Sequence, residues 1–264
     1  MKKLAVFLLL FTGVVGEAFA GARLGVFMMK AKEFFFTKPE QELASAIVWN
    51  RTGKIEKLLS EGVDVNCRGK DGITPLIWAA IKQKKKSYEF LLKHGAYPNL
   101  QIRQGGSAIL LASIMMDSDY LQIALEHGGN PNLVDPETGD TPIYEAMKNL
   151  REKNIDLLIK HGANLNFQDR TGCTPPMDAA SVKRYDLVFK MLKAGANPTI
   201  KNNWDKTIVW YIEQLPMDPE HELYRWRNKV VELLREQGMD VRPWTPENGP
   251  GRELKPRAPF SWEK

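Results

Sequence analysis

Residues 70–99 read KDGITPLIWAAIKQKKKSYEFLLKHGAYPN, and this one stretch contains a whole structural unit. Asp71-Gly72 is a tight-turn dipeptide. Thr74 followed by Pro75 is an N-cap with proline at the first helical position, where a missing N–H costs nothing. Leu76, Trp78, Ala79 and Ala80 predict a short helix with an apolar face, and Tyr88, Phe90, Leu91 and Leu92 predict a second. Gly95 closes that second helix, where a left-handed C-cap tolerates no Cβ. Two helices this short cannot bury their apolar faces alone; they need a copy of themselves on each side.

The copies are present. Thr74, Ser107, Thr141, Thr174 and Thr207 share one position at spacings of 33, 34, 33 and 33. Ala79, Ala112, Ala146 and Ala179 repeat in step with them. Gly62, Gly95, Gly128, Gly162, Gly195 and Gly238 end every second helix, and Asn66, Asn99, Asn132 and Asn166 follow four residues after their glycines. A period near 33, with a TPL-type helix start and an LLxxGAxxN ending, resembles the ankyrin repeat over residues 38–242. The resemblance implies an all-α ankyrin-repeat solenoid of about six helix-turn-helix repeats with short hairpin loops, a fold that binds other proteins and is not an enzyme. One departure stands out. The family's TPLH carries His after the Leu; here that site holds Ile77, Leu110, Tyr144, Met177 and Trp210, which removes the usual Thr–His pairing at the turn. The Thr–Pro cap remains at three repeats.

The chain has 264 residues, 43% hydrophobic and 26% charged, with a formal net charge of +5. Those proportions are ordinary for a soluble protein and leave no strong electrostatic footprint for a nucleic acid. Residues 1–20 read as a secretory signal. Lys2 and Lys3 are its basic start, 4–15 its apolar run, and Ala18-Phe19-Ala20 its cleavage site, so the mature chain is expected to begin at Gly21 in a bacterial periplasm. No cysteine lies near that site, which removes the lipid-anchor type of signal. The rival reading is an uncleaved anchor extended by the apolar residues 24–29, interrupted by Glu17 and Arg23. In a eukaryotic source Asn50-Arg51-Thr52 would be a glycosylation acceptor. Residues 21–37, apolar through Leu24, Val26, Phe27, Met28, Phe34, Phe35 and Phe36, are expected to cap the first repeat, or alternatively to adhere to a membrane surface. Repeat six carries ten extra residues around 216–225. A Pro-rich tail, 243–264, follows, with Trp244, Phe260 and Trp262 expected to pack back on the last repeat.

Catalytic and metal signals are missing. There is no GxSxG elbow, no phosphate-binding glycine loop and no CxxC. His221-Glu222 opens like HExxH, but Arg225 stands where the second His must be. His94, His127 and His161 each precede a helix-ending glycine, one repeat apart, so a helix C-terminus explains them better than a shared metal. Cys67 falls in an apolar column and reads as core, whereas Cys173 falls at a hairpin tip and is expected exposed. Their separation of about three repeats, some 30 Å, rules out a disulfide within one chain. The run Lys82–Lys86 is expected in a solvated inter-helix loop. Asp135, Glu137 and Asp140 make an acidic tip, read as a solvated turn or as a contact for a basic partner, without calcium-loop spacing. No cofactor or metal is expected.

What remains is surface. The resemblance places partner contacts on hairpin tips and on the exposed side of first helices. That selects Trp49, Ile73, Lys82, Arg103, Gln104, Met115, Glu137, Asp140, Asn149, Arg170, Val182, Trp204 and Lys206. Trp49, Met115, Val182 and Trp204 are apolar where solvent is expected. With Arg103 and Arg170 they are predicted to form a concave protein-binding face, unless the end segments cover the two tryptophans. Export combined with ankyrin repeats resembles bacterial immunity proteins that neutralise toxic phospholipase effectors of the kind type VI secretion delivers to the periplasm. The alternatives are a periplasmic ankyrin partner that supports a catalase against peroxide, and a cell-envelope scaffold.

Overall fold

A computed structural model describes residues 30–102, 105–213 and 222–242. The expected signal sequence with its Gly21 start, the front of the capping segment, Arg103 and Gln104, residues 214–221 of the insertion and the Pro-rich tail with Trp244, Phe260 and Trp262 lie outside the described residues.

Among the described residues there are twelve α-helices and no extended strand. They run in pairs: α1 (Lys38–Val48) with α2 (Thr52–Ser60), α3 (Pro75–Ile81) with α4 (Lys85–Lys93), α5 (Ala108–Ile114) with α6 (Asp119–Glu126), α7 (Pro142–Lys148) with α8 (Glu152–Lys160), α9 (Pro175–Ser181) with α10 (Tyr185–Lys193), and α11 (Ile208–Glu213) with α12 (Glu222–Glu236). The chain divides into two compact units, Met1–Asn164 and Leu165–Lys264. The first unit holds four helix pairs and the second holds two.

The helix ends follow the expected chemistry in part. Thr74 accepts a hydrogen bond from the Ile77 N–H at 3.2 Å, and Ser107 accepts one from Leu110 at 3.3 Å. Thr141 and Thr174 also precede a proline, but neither side chain makes the cap bond. Proline at the first helical position has already removed one unsatisfied donor and preset φ, so those helices start without it. The six repeat-ending glycines have φ between +81° and +94°. A Cβ at any of them would meet open space, so it is the backbone conformation and not crowding that selects glycine there.

Inside each unit the alanine column lies at the first-helix contacts, with Ala79, Ala112, Ala146 and Ala179 all fully buried. The asparagine column ties repeat to repeat. Asn66 donates to the Gly95 carbonyl at 3.0 Å and accepts from the Tyr97 N–H at 2.8 Å. Asn99 does the same to Gly128 and Asn130, at 2.8 Å each, and Asn132 to Gly162 and Asn164, at 3.0 and 2.6 Å. In the second unit Asn166 accepts from Asn197 at 2.7 Å. Each side chain therefore satisfies polar backbone at the helix end of the following repeat, where the carbonyls have no helical partner.

Every hairpin is closed by one backbone bond at a repeated position: Gly69 to Ile73, Ile102 to Gly106, Asp135 to Asp140, Asp169 to Cys173 and Asn202 to Lys206, at 2.8–3.1 Å. The fourth-repeat loop is one residue longer, as its sequence requires. Asp135, Asp169 and Asn202 then accept further N–H bonds from within their own turns. Ahead of the first helix pair, Phe34 and Phe35 are buried against the Trp78 indole, with ring centroids 5.5 and 5.8 Å away. In the second unit α12 lays Val230, Val231 and Leu234 inward against α10, and Trp226 meets Phe189 at 5.8 Å. The fully buried Arg227 donates twice to the Ile212 carbonyl, at 2.8 and 3.2 Å.

Candidate protein-binding surface

The turns between paired helices decide which residues face out. Asn50, Gln83, Leu150 and Lys183 hold these turns with φ between +50° and +63°. Trp49, just before the first, caps α1 and is 69% exposed; Val182, just before the last, caps α9 and is 53% exposed. Trp204 on the last hairpin is 55% exposed, and Glu137 and Arg170 are exposed on theirs. Lys206 is half-buried, its ammonium 5.9 Å from the Trp210 ring centroid. Trp49 and Glu137 belong to the first unit, and Arg170, Val182, Trp204 and Lys206 to the second.

Five of the expected contact residues are instead buried. Ile73 ends the hairpin-closing bond, which turns its side chain inward and leaves Lys70 as the exposed tip. Cys173 occupies the same position in its repeat and is likewise buried, 3.3 Å from the Tyr211 hydroxyl, so the expected exposed thiol does not exist. Asp140 is buried in an ion pair with Lys148 at 2.6 Å. Asp135 is also buried, and its carboxylate accepts from Gly106, Glu137 and Thr138. The acidic tip thus reduces to Glu137 alone. Asn149 folds back onto its own helix and donates to the Glu145 carbonyl at 2.9 Å.

Met115 is buried because the third repeat lacks the left-handed turn residue of the first, second, fourth and fifth. Its backbone leaves α5 extended, at φ −68° and ψ 147°, and its carbonyl accepts from the buried Asn154 amide, which also bonds Ser113. Met116 takes the outward place and is 78% exposed. Leu150 is exposed at the matching turn of the fourth repeat. Neither stands out in sequence; the helix period and the neighbouring repeats assign them wrongly by one residue.

Lys82 is the fifth correction, and it opens the site of most interest. Only 4% exposed, it lies over Trp78 with its ammonium 4.6 Å from the ring centroid. Burial lowers its pKa, Glu33 opposes that, and Lys84 adds to it. Trp78 is anchored in turn, donating its indole N–H to the Ala44 carbonyl at 3.1 Å. Around this pair is an open cavity of about 250 Å³, bordered by Val48, Trp49 and Trp78 and by Lys30, Lys82 and Lys84. Within the basic run Lys85 is not in plain solvent either: it bridges Asp117 and Asp119 of the next repeat at 2.9 and 2.5 Å, which raises its pKa, whereas Lys86 is exposed as expected.

The family model of ankyrin repeats in three copies matches residues 43–135 and 110–202. The chain belongs to the ankyrin-repeat family. Among curated proteins, ankyrin repeat and SOCS box protein 6 from Homo sapiens and from Pongo abelii are each 29% identical to this ankyrin-repeat chain over 113 residues, 42% of its length. The match spans 26% of those relatives. Among solved structures, the human ASB11 ankyrin repeat domain aligns with TM-score 0.54 at 22% identity, covering 78% of this chain and 87% of that one. The ankyrin repeat protein EF0377 aligns with TM-score 0.58, also at 22% identity, covering 74% and 96%. These likenesses are of fold. Ankyrin repeats are protein-interaction modules, and this chain is one.

Two of the histidines serve the helix ends. His94 and His127 lie with Nδ1 2.8 and 2.9 Å from the carbonyls four residues earlier. Among the described residues no three His, Cys, Asp or Glu side chains converge on a metal position, and no helix is long and apolar enough to cross a membrane.

Proposed function

We propose that this chain is an exported binding protein that captures one protein partner and silences it, as an immunity protein set against a toxic phospholipase. The observation that carries the binding half is Trp49. An indole 69% exposed, beside a lysine-bordered cavity in a family that works through protein contacts, is the type of anchor on which interface energy concentrates. The export half rests on the basic, apolar and A-x-A order of residues 1–20. Capture of a secreted lipase needs no catalytic group in this chain, only a surface that covers the enzyme's active site or its approach to lipid.

The test has two steps. Tagged protein is recovered from the periplasm after crosslinking, and the captured species is identified. The purified chain is then mixed with that species and hydrolysis of phospholipid vesicles is followed. A lipase inhibited at equimolar chain, with Trp49→Ala at least tenfold weaker, supports the reading. Capture of a catalase whose activity the chain sustains, or a chain found in the membrane with Met1 intact, overturns it.

A further inference from the structure

We propose that the cavity beside Trp49 is the anchor subsite for an acidic segment of the partner, a peptide that sets carboxylates against Lys30 and Lys84 and lays an apolar side chain on the Trp49 indole. This rests on the reading that the chain binds a protein.

Charge complementarity selects the occupant. Three lysines border one cavity, and no carboxylate shares its lining. Glu33 acts on Lys82 from outside it. Lys85, the next residue after Lys84, shows what the local chain does when carboxylates are in reach: it takes two. Lys30 and Lys84 form no ion pair among the described residues, and both side chains reach solvent. Lys82, 4% exposed over Trp78, belongs to the cavity wall, and Lys30 and Lys84 are the accessible charges. The apolar part is equally specific. Val48 and the two indoles supply a base and wall that a purely charged ligand would leave wet. Together they call for alternating acidic and apolar side chains. An open cavity of about 250 Å³ admits a side chain of a narrow peptide more readily than the flat surface of a bilayer.

The probe is a dye-labelled decapeptide of alternating Glu and Leu, titrated into the full chain and followed by fluorescence anisotropy. Saturable binding is expected, weakened about thirtyfold by Trp49→Ala and at least tenfold by Lys84→Glu at low salt, with Lys86→Glu, exposed but outside the cavity, unchanged. A decapeptide of Lys and Leu is not bound. Equal binding by the Lys84→Glu variant overturns the inference. So does tight binding to phosphatidylglycerol vesicles without binding to the peptide. So does a dimer of the chain, seen by sedimentation, that Trp49→Ala dissolves, because a second copy would then fill the cavity. A captured partner that binds wild type and both cavity variants alike overturns the subsite and leaves the binding function standing.

Discussion

The backbone N–H of Lys70 donates to the carbonyl oxygen of Phe34 at 2.6 Å, joining the segment ahead of the first repeat to the hairpin of the second. The residue beside this bond is Gly69. At the equivalent position the fourth, fifth and sixth repeats carry Asp135, Asp169 and Asn202, whose side chains organise their turns. Gly69 has no such side chain because the Phe34 carbonyl stands where its Cβ would be.

Gly69→Ala should therefore lift Phe34 and Phe35 off Trp78. The clashing atom is backbone and cannot rotate aside, so a cost of about 1–3 kcal/mol is expected. Urea unfolding measures the cost, and a red shift of tryptophan emission reports the uncovered indole. A variant with unchanged stability and emission would show that the segment does not rest on Gly69.

The same pair of residues shows what sequence reading reaches. The 33-residue period, the glycine caps and the alanine column were legible because each is forced by local backbone or by close helix contact, and these recur in every repeat. Gly69 could be read as a turn residue, but not as a docking place, since the atom that demands it lies 35 residues earlier. Ile73, Asp140 and Cys173 misled because the closing bond of the hairpin, and not the polarity of the residue, sets which side chain turns inward. Met115 and Met116 exchanged roles because the third repeat ends α5 in extended backbone, which no residue type there announces.

The asparagine column was visible as a pattern, and its work can now be measured. Asn99 bridges a carbonyl and an N–H of the next repeat at 2.8 Å each. Asn99→Ala removes both bonds at a half-exposed position where water replaces them in part, so a loss of about 1–2 kcal/mol is expected. Hydrogen exchange should quicken at Asn130, whose N–H loses its acceptor. Unchanged exchange there would deny the column its role as a link.

Leu150 holds the turn between α7 and α8 at φ +56° with its side chain exposed, a conformation that L residues reach only with strain. Leu150→Gly removes that strain and one exposed apolar side chain, at the expense of a more flexible unfolded chain. A net gain of about 0.5–1 kcal/mol is expected. Leu150→Val, β-branched at the same φ, should lose stability. If glycine destabilises as much as valine does, side-chain packing and not backbone strain governs the turn.

Glu145 on α7 carries a pH signature that falls between acid and neutral pH. Burial pushes its carboxyl up to about 7, Asp140 and Asp135 add to the rise, and Lys148, paired with Asp140 at 2.6 Å, opposes it. An unfolded glutamate titrates near its ordinary value of 4.5. Between these two values the folded chain holds a proton that the unfolded chain has released, so stability falls as pH rises from about 4.5 to about 7 and is level above that. The glutamate remains partly exposed, so the change is expected to be on the order of 1–3 kcal/mol, short of the full value such a shift would imply. Glu145→Gln keeps the shape and cannot ionise. It should match wild type near pH 4.5, exceed it at pH 8, and show a flatter profile between, read from urea midpoints across that range. Parallel profiles for the two proteins would place the carboxylate in water.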